Sequence, residues 1–371
     1  MTTPAQPARR YAAPIAAFVP ATLSPAAAAT LLASPAGDDL LLDNLGGVPL
    51  VVLDAHGEGV AALACRPALP AVVLAVSGAV PAGPPPRVAD IALCPAAGSG
   101  RGVPPGWVAS ADLDAELARV GERVAATPQP AVVLAQLLRA GAGTGVAEGL
   151  VLESLAYSTL QSGPAFAAWL AARRQGRRSR TRPEPAETVV VERRGDELMV
   201  TLNRPHVHNA VDRRLREQLC DALAVALADE TIAAVTLRGN GPSFCSGGDL
   251  EEFGTLADPA SAHLVRTARS PARLLAALST RLTAHVHGAC VGAGMEFAAF
   301  AGTVVATPDS SFRLPELELG LVPGAGGTVS IPRRIGRQRT AYLAVTGRAL
   351  DASGALAWGL VDDVVAARRS S

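Results

Sequence analysis

Two glutamates, Glu296 and Glu316, lie in the segment HGACVGAGMEFAAFAGTVVATPDSSFRLPELELGLVPGAGGT, His287 to Thr328. Glu296 follows a Gly/Ala turn, Glu316 follows a proline, and Gly-rich backbone flanks both. Carboxylates on rigid scaffolding can take and return protons, while backbone N–H groups with little side-chain cover can stabilise a developing oxyanion. Together these groups suit chemistry at the α and β carbons of a thioester. Repulsion between two such carboxylates raises one pKa above the free value of about 4.3, so one can carry a proton that the other lacks.

Several elements must position this pair. TVVVERRGDELMVTLNRP reads as two strands joined at Arg194–Gly195–Asp196, because β-branched runs flank a polar turn. Val211, Leu215, Leu219, Leu223 and Leu227 recur at helical spacing, which predicts an amphipathic helix. IAAVTLRGN reads as a buried strand, GPSFCSGGDLEEF as a Gly-rich turn entering a helix, and SPARLLAALST as a helix. LTAHVHGACV reads as one strand, AGMEFAAFAG as a helix opening on its turn, and TVVATP as a short strand. The order implies a layered α/β core with right-handed crossovers. In the first half, GVPLVVLDA, GVAALAC, AVVLAVSGA and ADIALCP read as strands. DLDAELARVGERVAAT, PAVVLAQLLRAGAG and VAEGLVLESLAYSTLQSGPAFAAWLAARR read as helices. Glu153 and Tyr157 share one face of the last of these, in a core or interface role rather than a catalytic one.

Composition narrows the function classes. Of 371 residues, 49% are apolar and 4% aromatic, so the core is aliphatic. Formal net charge is zero, which removes any global field for nucleic acid or an anionic membrane. The sequence contains no lysine, so phosphate groups must be met by Arg, backbone N–H groups or helix N-termini. Cys65, Cys94, Cys220, Cys245 and Cys290 form no C-x-x-C pair, which predicts buried thiols in a reducing cytoplasm and no metal site. Pro14, Pro20 and Pro25 interrupt the apolar stretch after Arg9 and Arg10, against a signal or spanning helix. The sharpest compositional break is AARRQGRRSRTRPEPAE, read as a solvated linker. It divides the chain into a flexible Ala/Pro-rich lead-in (1–35), an N-terminal α/β and helical extension (36–175), an Arg/Pro-rich linker (176–187) and a catalytic core (188–371).

Five spaced motifs in order carry a resemblance. They are LNRPHVHNAV (Leu202 to Val211), FCSGGDL (Phe244 to Leu250), HGACVGAGMEF (His287 to Phe297), FRLPELELGLVPGAGGT (Phe312 to Thr328) and TGRALDASGALAWGLVDDVV (Thr346 to Val365). From about Val189 to Val365 the chain resembles the crotonase (enoyl-CoA hydratase/isomerase) superfamily. The resemblance implies an α/β spiral of repeated ββα turns, an acyl-CoA substrate, no separate cofactor, and a homo-oligomer, trimer or hexamer. It places the oxyanion-hole donors on Gly248 and Ala293, where the family commonly has Gly at the second position. A helix following Ala293 would add positive potential there. It assigns Glu296 to the attacking water and Glu316 to the Cα proton. Arg204, His206, His208, Ser246, Asp249, Gly292 and Gly324 follow as substrate-side residues, with Asp249 also fixing its loop and the Pro323–Gly327 glycines shaping a tight turn. Arg213 and Arg214 are further candidates for CoA phosphates.

The resemblance also discriminates within the superfamily. Dienoyl-CoA isomerases, hydroxyacyl-CoA hydrolases and a dehalogenase branch carry an acidic residue eight positions after the one matched by Glu316; here that residue is Gly324. Hydration of a 2-enoyl-CoA, or its reverse, is the leading expectation. Simple enoyl-CoA isomerisation, cofactor-free oxygenation of an aryl-acetyl-CoA (with Arg266 or Arg269 on a phenolic or enolate oxygen) and a non-catalytic RNA-binding or scaffold role are the alternatives. Family members usually continue past the GLVDDVV strand into closing helices. Pro130 to Arg174 looks similar to those helices, so the N-terminal half is expected to be a degenerate crotonase-like half that supplies this packing, within the chain or from a neighbouring subunit.

Overall fold

The computed structural model describes residues 22–23, 25–33, 48–56, 59–96, 102–175, 185–256 and 258–366. Residues 176–184 of the expected linker, and most of the expected lead-in, lie outside the described residues. The described part of that lead-in is not irregular chain. It forms a strand, β1 (Thr22–Leu23), and a helix, α1 (Pro25–Ala33), whose Ala28 and Leu32 are buried.

The first half builds a five-stranded parallel sheet in the order β1-β2-β3-β4-β5, with β2 Leu50–Asp54, β3 Val72–Val76, β4 Ile91–Pro95 and β5 Val108–Ser110. GVAALAC, expected as a strand, is a 3-10 turn at Val60–Ala62. Gly59 adopts φ 91°, and its carbonyl and that of Val60 accept from Ala62 and Leu63, which commits the backbone locally. Four helices follow: α2 (Leu113–Ala126), α3 (Pro128–Ala140), α4 (Val146–Gln161) and α5 (Pro164–Gln175). The single long helix expected over α4 and α5 breaks at Ser162–Gly163 because Pro164 lacks an N–H and restricts its predecessor.

The second half opens with the expected hairpin, β6 (Val189–Arg194) and β7 (Glu197–Leu202), then α6 (Arg213–Ala228) and β8 (Ala234–Gly239). Leu215, Leu219 and Leu223 are buried, as their spacing predicts. GPSFCSGGDLEEF does not enter a helix; the next, α7, begins at Pro259 and runs to Ala268, followed by α8 (Pro271–Ala277). The intervening backbone is committed laterally, since Cys245 N donates to Ala289 O, Ser246 N to His208 O and Asp249 N to Val211 O. The expected strand LTAHVHGACV is two, β9 (Leu282–Val286) and β10 (Ala289–Val291), bent at Gly288 with φ 55°. Then come α9 (Ala293–Ala298), β11 (Thr303–Ala306), β12 (Ser311–Arg313), a 3-10 helix at Glu316–Leu319, α10 (Gly327–Ile335), α11 (Arg337–Thr346), β13 (Leu350–Asp351), α12 (Ala352–Trp358) and β14 (Asp363–Val364). A six-stranded sheet runs β14-β11-β9-β8-β7-β6, parallel except for the hairpin, and β10-β12-β13 form a smaller one.

The halves share one core. Leu74, Leu93 and Leu134 belong to the same buried cluster as Leu223, Phe297 and Leu343. Polar groups tie the same seam. Tyr342 donates to Glu116 Oε1 at 2.8 Å and Arg348 to Oε2 at 2.7 Å. Asp90 accepts from Val73 N at 2.8 Å, from the Arg139 guanidinium and, across the seam, from Arg337 at 3.2 Å. The Asp90 and Arg139 side chains are each 1% exposed. Among the described residues, no helix is long and apolar enough to cross a membrane.

Removing one member of a buried ion pair strands the other charge in a poorly solvating interior. Asp90→Ala is therefore expected to lower unfolding stability by about 3–5 kcal/mol in a urea titration. A loss within experimental error of zero would show that the seam does not depend on this carboxylate.

Candidate active site

Two chain segments meet to present free N–H groups. Cys245 and Cys290 form a parallel bridge, with Cys245 N donating to Ala289 O at 3.1 Å and Val291 N to Cys245 O at 2.9 Å. Both side chains are small enough for this approach, and burial pushes the Cys245 thiol up to about 12 and that of Cys290 well above its ordinary range. They are protonated packing groups, as the sequence suggests. Beyond the bridge each segment turns at a glycine, Gly247 with φ 95° and Gly292 with φ 50°. A Cβ on Gly292 would stand 3.6 Å from Gly247 Cα, so the turns abut. The next residues are Gly248 and Ala293. Val211 N bonds to Gly247 O and Asp249 N to Val211 O, which leaves the Gly248 N–H between them unused. Ala293 opens α9, where the helix itself provides no acceptor. Among the described residues, neither N–H has a hydrogen-bond partner.

Both glutamates are brought to this place. Glu296 lies in the first turn of α9, 2% exposed, and its Oε2 accepts from Ala325 N at 2.7 Å and Gly327 N at 2.8 Å. Glu316 opens the 3-10 helix, 9% exposed, with Oε1 lying against Gly292 and Oε2 without a partner among the described residues. A side chain at Gly292 would occupy the position of that carboxyl. Burial raises Glu296 well above the ordinary carboxylate range; the charges of Glu316 and Glu153 push further, and the two backbone donors oppose them. Glu316 is pushed up to about 8, chiefly by burial.

A third buried carboxyl, which sequence reasoning placed in a core or interface role, belongs to the same cluster. Glu153 of α4 accepts from Gly326 N at 2.7 Å and from Thr328 N and Oγ1 at 2.9 and 2.7 Å. Burial raises it to about 7 against these bonds and the nearby Arg266. One turn on, the Tyr157 ring packs against Gly324, so any side chain at 324 would run into it. Burial pushes the Tyr157 phenol up, and the charges of Glu316, Glu296 and Glu153 add to that. Arg266 lies 4.5 Å from the Tyr157 ring centroid and donates to Ser154 and Ser158. A cavity of about 210 Å³ is lined by Leu150, Glu153, Arg266, Gly324 and Ala325, among others. The one sequence signal for Glu153 was a carboxylate inside the apolar run GLVLESLAY.

The remaining candidates sit on an adjoining brace. Arg204 is buried, donating to Ala210 O and to Asp249 at 3.0 Å and pairing with Asp212 at 3.3 Å. Expected among the substrate contacts, Arg204 here braces the loop that Asp249 also fixes. Ser246 Oγ donates to Val207 O at 3.3 Å, His208 Nδ1 meets Ser243 Oγ at 2.8 Å, and His206 is half-buried in the 3-10 turn Pro205–Val207. Arg213 pairs with Glu217 on the surface, Arg214 reaches Ala186 O, and Arg269 pairs with Asp221 at 3.0 Å.

The raised carboxyls make a pH prediction. The folded chain keeps the Glu316 proton up to about 8, whereas the unfolded chain releases it near 4.5. This contribution to stability is complete below 4.5 and is lost as pH rises through 8. Glu316→Gln is expected to melt several degrees above the parent protein at pH 8.5 and to converge with it near pH 4.5. A difference independent of pH would contradict the assignment.

Residues 195–369 match the family model described as Enoyl-CoA hydratase/isomerase. The chain is 36% identical over 176 residues to a 2,3-dehydroadipyl-CoA hydratase of Escherichia coli (strain K12), covering 47% of this chain and 68% of that protein. It is likewise 36% identical over 176 residues to a mevalonyl-coenzyme A hydratase of Beauveria bassiana, covering 45% of this chain and 63% of that one. A crystal structure of an enoyl-CoA hydratase from Thermoplasma volcanium GSS1 aligns at 34% identity with a TM-score of 0.44, over 48% of this chain and 72% of that chain. The chain thus spans 63 to 68% of the length of the two curated relatives. On sequence identity and coverage together, the chain belongs to the enoyl-CoA hydratase/isomerase, or crotonase, family.

Proposed function

We propose that this protein adds water across the α,β double bond of an acyl-CoA thioester, or removes it in reverse. The observation that carries this reading is the meeting of two buried carboxyls, Glu296 and Glu316, with the N–H groups of Gly248 and Ala293, unpaired among the described residues. The thioester oxygen sits between those N–H groups. They face charge that develops only as Cβ is attacked, which is where a pre-aimed donor contributes most.

Hydration needs one ionised and one protonated carboxyl. Burial raises both carboxyls, so the pair holds one charge at a time; Glu296 has Ala325 N–H and Gly327 N–H on Oε2 to oppose that shift, with Oε1 left to take a proton. Glu316 is suited to the neutral form: its Oε2 is buried without a partner, where an ionised oxygen is costly. Water bound to Glu296 forms the C–O bond at Cβ and passes its proton to that carboxylate. The double-bond electron pair moves to the thioester oxygen as an enolate. Glu316 then delivers its proton to Cα as the carbonyl reforms. After product leaves, a newly bound water relays the proton from Glu296 to Glu316 and resets the pair. No step calls for a cofactor beyond the CoA carried by the substrate. With no lysine in the chain, the CoA phosphates must be met by arginine or backbone. Operation in the cytoplasm as a homo-oligomer is part of the same proposal.

Crotonyl-CoA hydration followed at the enoyl chromophore tests the reading. Glu296→Gln and Glu316→Gln are each expected to lower kcat by about 10²–10⁴-fold, the usual contribution of a positioned acid or base. Parent-like rates in both variants would refute the assigned roles.

A further inference from the structure

The loop between the 3-10 helix and α10 presents four consecutive N–H groups, and they are shared out in alternation. Those of Ala325 and Gly327 go to Glu296; those of Gly326 and Thr328 go to Glu153. At the start of α10 the two carboxyls thus clasp the segment by alternate residues. Glycine is required for this. A Cβ at Gly327 would come within 2.6 Å of the Glu296 side chain, and Gly326, at φ 106°, is wedged between Phe300 and Ala272. Glu153 is 2% exposed, and its three acceptor bonds all go to this loop.

We propose that Glu153, contributed by α4 of the N-terminal half, is a positioning residue of the catalytic centre that fixes the loop N–H groups on which Glu296 depends. The inference rests on the hydratase reading above. Glu153 touches no reacting atom. It acts by keeping Ala325 N–H and Gly327 N–H aimed at Glu296 Oε2, which favours the ionised form against the burial that raises it and leaves the other oxygen turned to the water. The charged and titratable groups around it are Glu296, Glu316, Tyr157 and Arg266. Thr328 extends the same device through its hydroxyl, which accounts for a β-branched polar residue directly after the glycines.

The test is a pH profile of kcat and KM for crotonyl-CoA in Glu153→Gln and Thr328→Val. The Gln amide sets an NH2 against a backbone N–H and loosens the loop. If Glu153 positions, kcat falls by about 10- to 100-fold with KM changed by less than about threefold. The acidic limb set by Glu296 moves up by about half a pH unit or more, because weaker N–H donation favours its protonated form. A downward shift would mean that Glu153 acts only as a neighbouring negative charge, and an unshifted profile with unchanged kcat would mean that it is structural; either overturns the proposal. Thr328→Val removes one bond and no charge, so it reads the same effect if the first variant fails to fold. Its expected loss in kcat is about three- to tenfold, with the same upward shift, and parent-like behaviour overturns the proposal. A parent protein with no hydratase activity would overturn the underlying reading, and is distinguishable from an active parent matched by both variants.

Discussion

Burying three carboxyl groups within one another's fields is costly, and the structure depends on how backbone N–H groups offset that cost. Glu296 and Glu153 are each fully buried, and neither has an arginine in contact with its oxygens among the described residues. Their compensation comes from the Ala325–Thr328 segment, where a Gly-rich backbone offers every N–H because no side chain covers it. This requirement propagates outward. Gly327 must lie against the Glu296 side chain, which fixes the start of α10 beside α9. Gly326 must fit between Phe300 and Ala272, which brings α8 to the same point.

The same constraint joins the two halves at the candidate site. A core that supplied only Glu296 to the loop would leave Gly326 N–H and Thr328 N–H to find other acceptors. Here α4 supplies the acceptor and places Tyr157 over Gly324. The seam is held well beyond the site, by the shared aliphatic cluster, by Glu116 with Tyr342 and Arg348, and by Asp90 with Arg139 and Arg337. Such a seam suits a helix that must hold an acceptor in place to within a few tenths of an ångström.

Much of this was legible in the sequence where a local rule applies. The alternation of VVVERRGDELMV and the i, i+4 leucines of α6 name their elements because period and burial go together. Glu296, Glu316 and the two glycine turns were found because short motifs keep them adjacent to their own scaffolding. What escaped had long-range causes. The partners of Glu153 lie 173 and 175 positions along the chain, and a helical face cannot reveal what packs on it. The helix expected after Gly248 fails because lateral bonds to His208, Val211 and Ala289 claim the backbone first. The break between β9 and β10 reflects Gly288, where the Cβ of any side chain would run into the Pro242 carbonyl oxygen.

Arg266 shows how the site keeps its carboxyls adjustable. The guanidinium beside Glu153 could have formed a direct ion pair, holding that carboxyl fully ionised. Instead it is turned to the hydroxyls of Ser154 and Ser158 and to the face of Tyr157. Neutral hydroxyls satisfy its donors without neutralising its charge, so it lowers the Glu153 pKa only from a distance and leaves it at about 7. Proton exchange near neutrality, as the proposed hydration requires, is incompatible with carboxyls fixed by close ion pairs. Donors that orient them, with positive charge held one layer away, give geometry and titration separately.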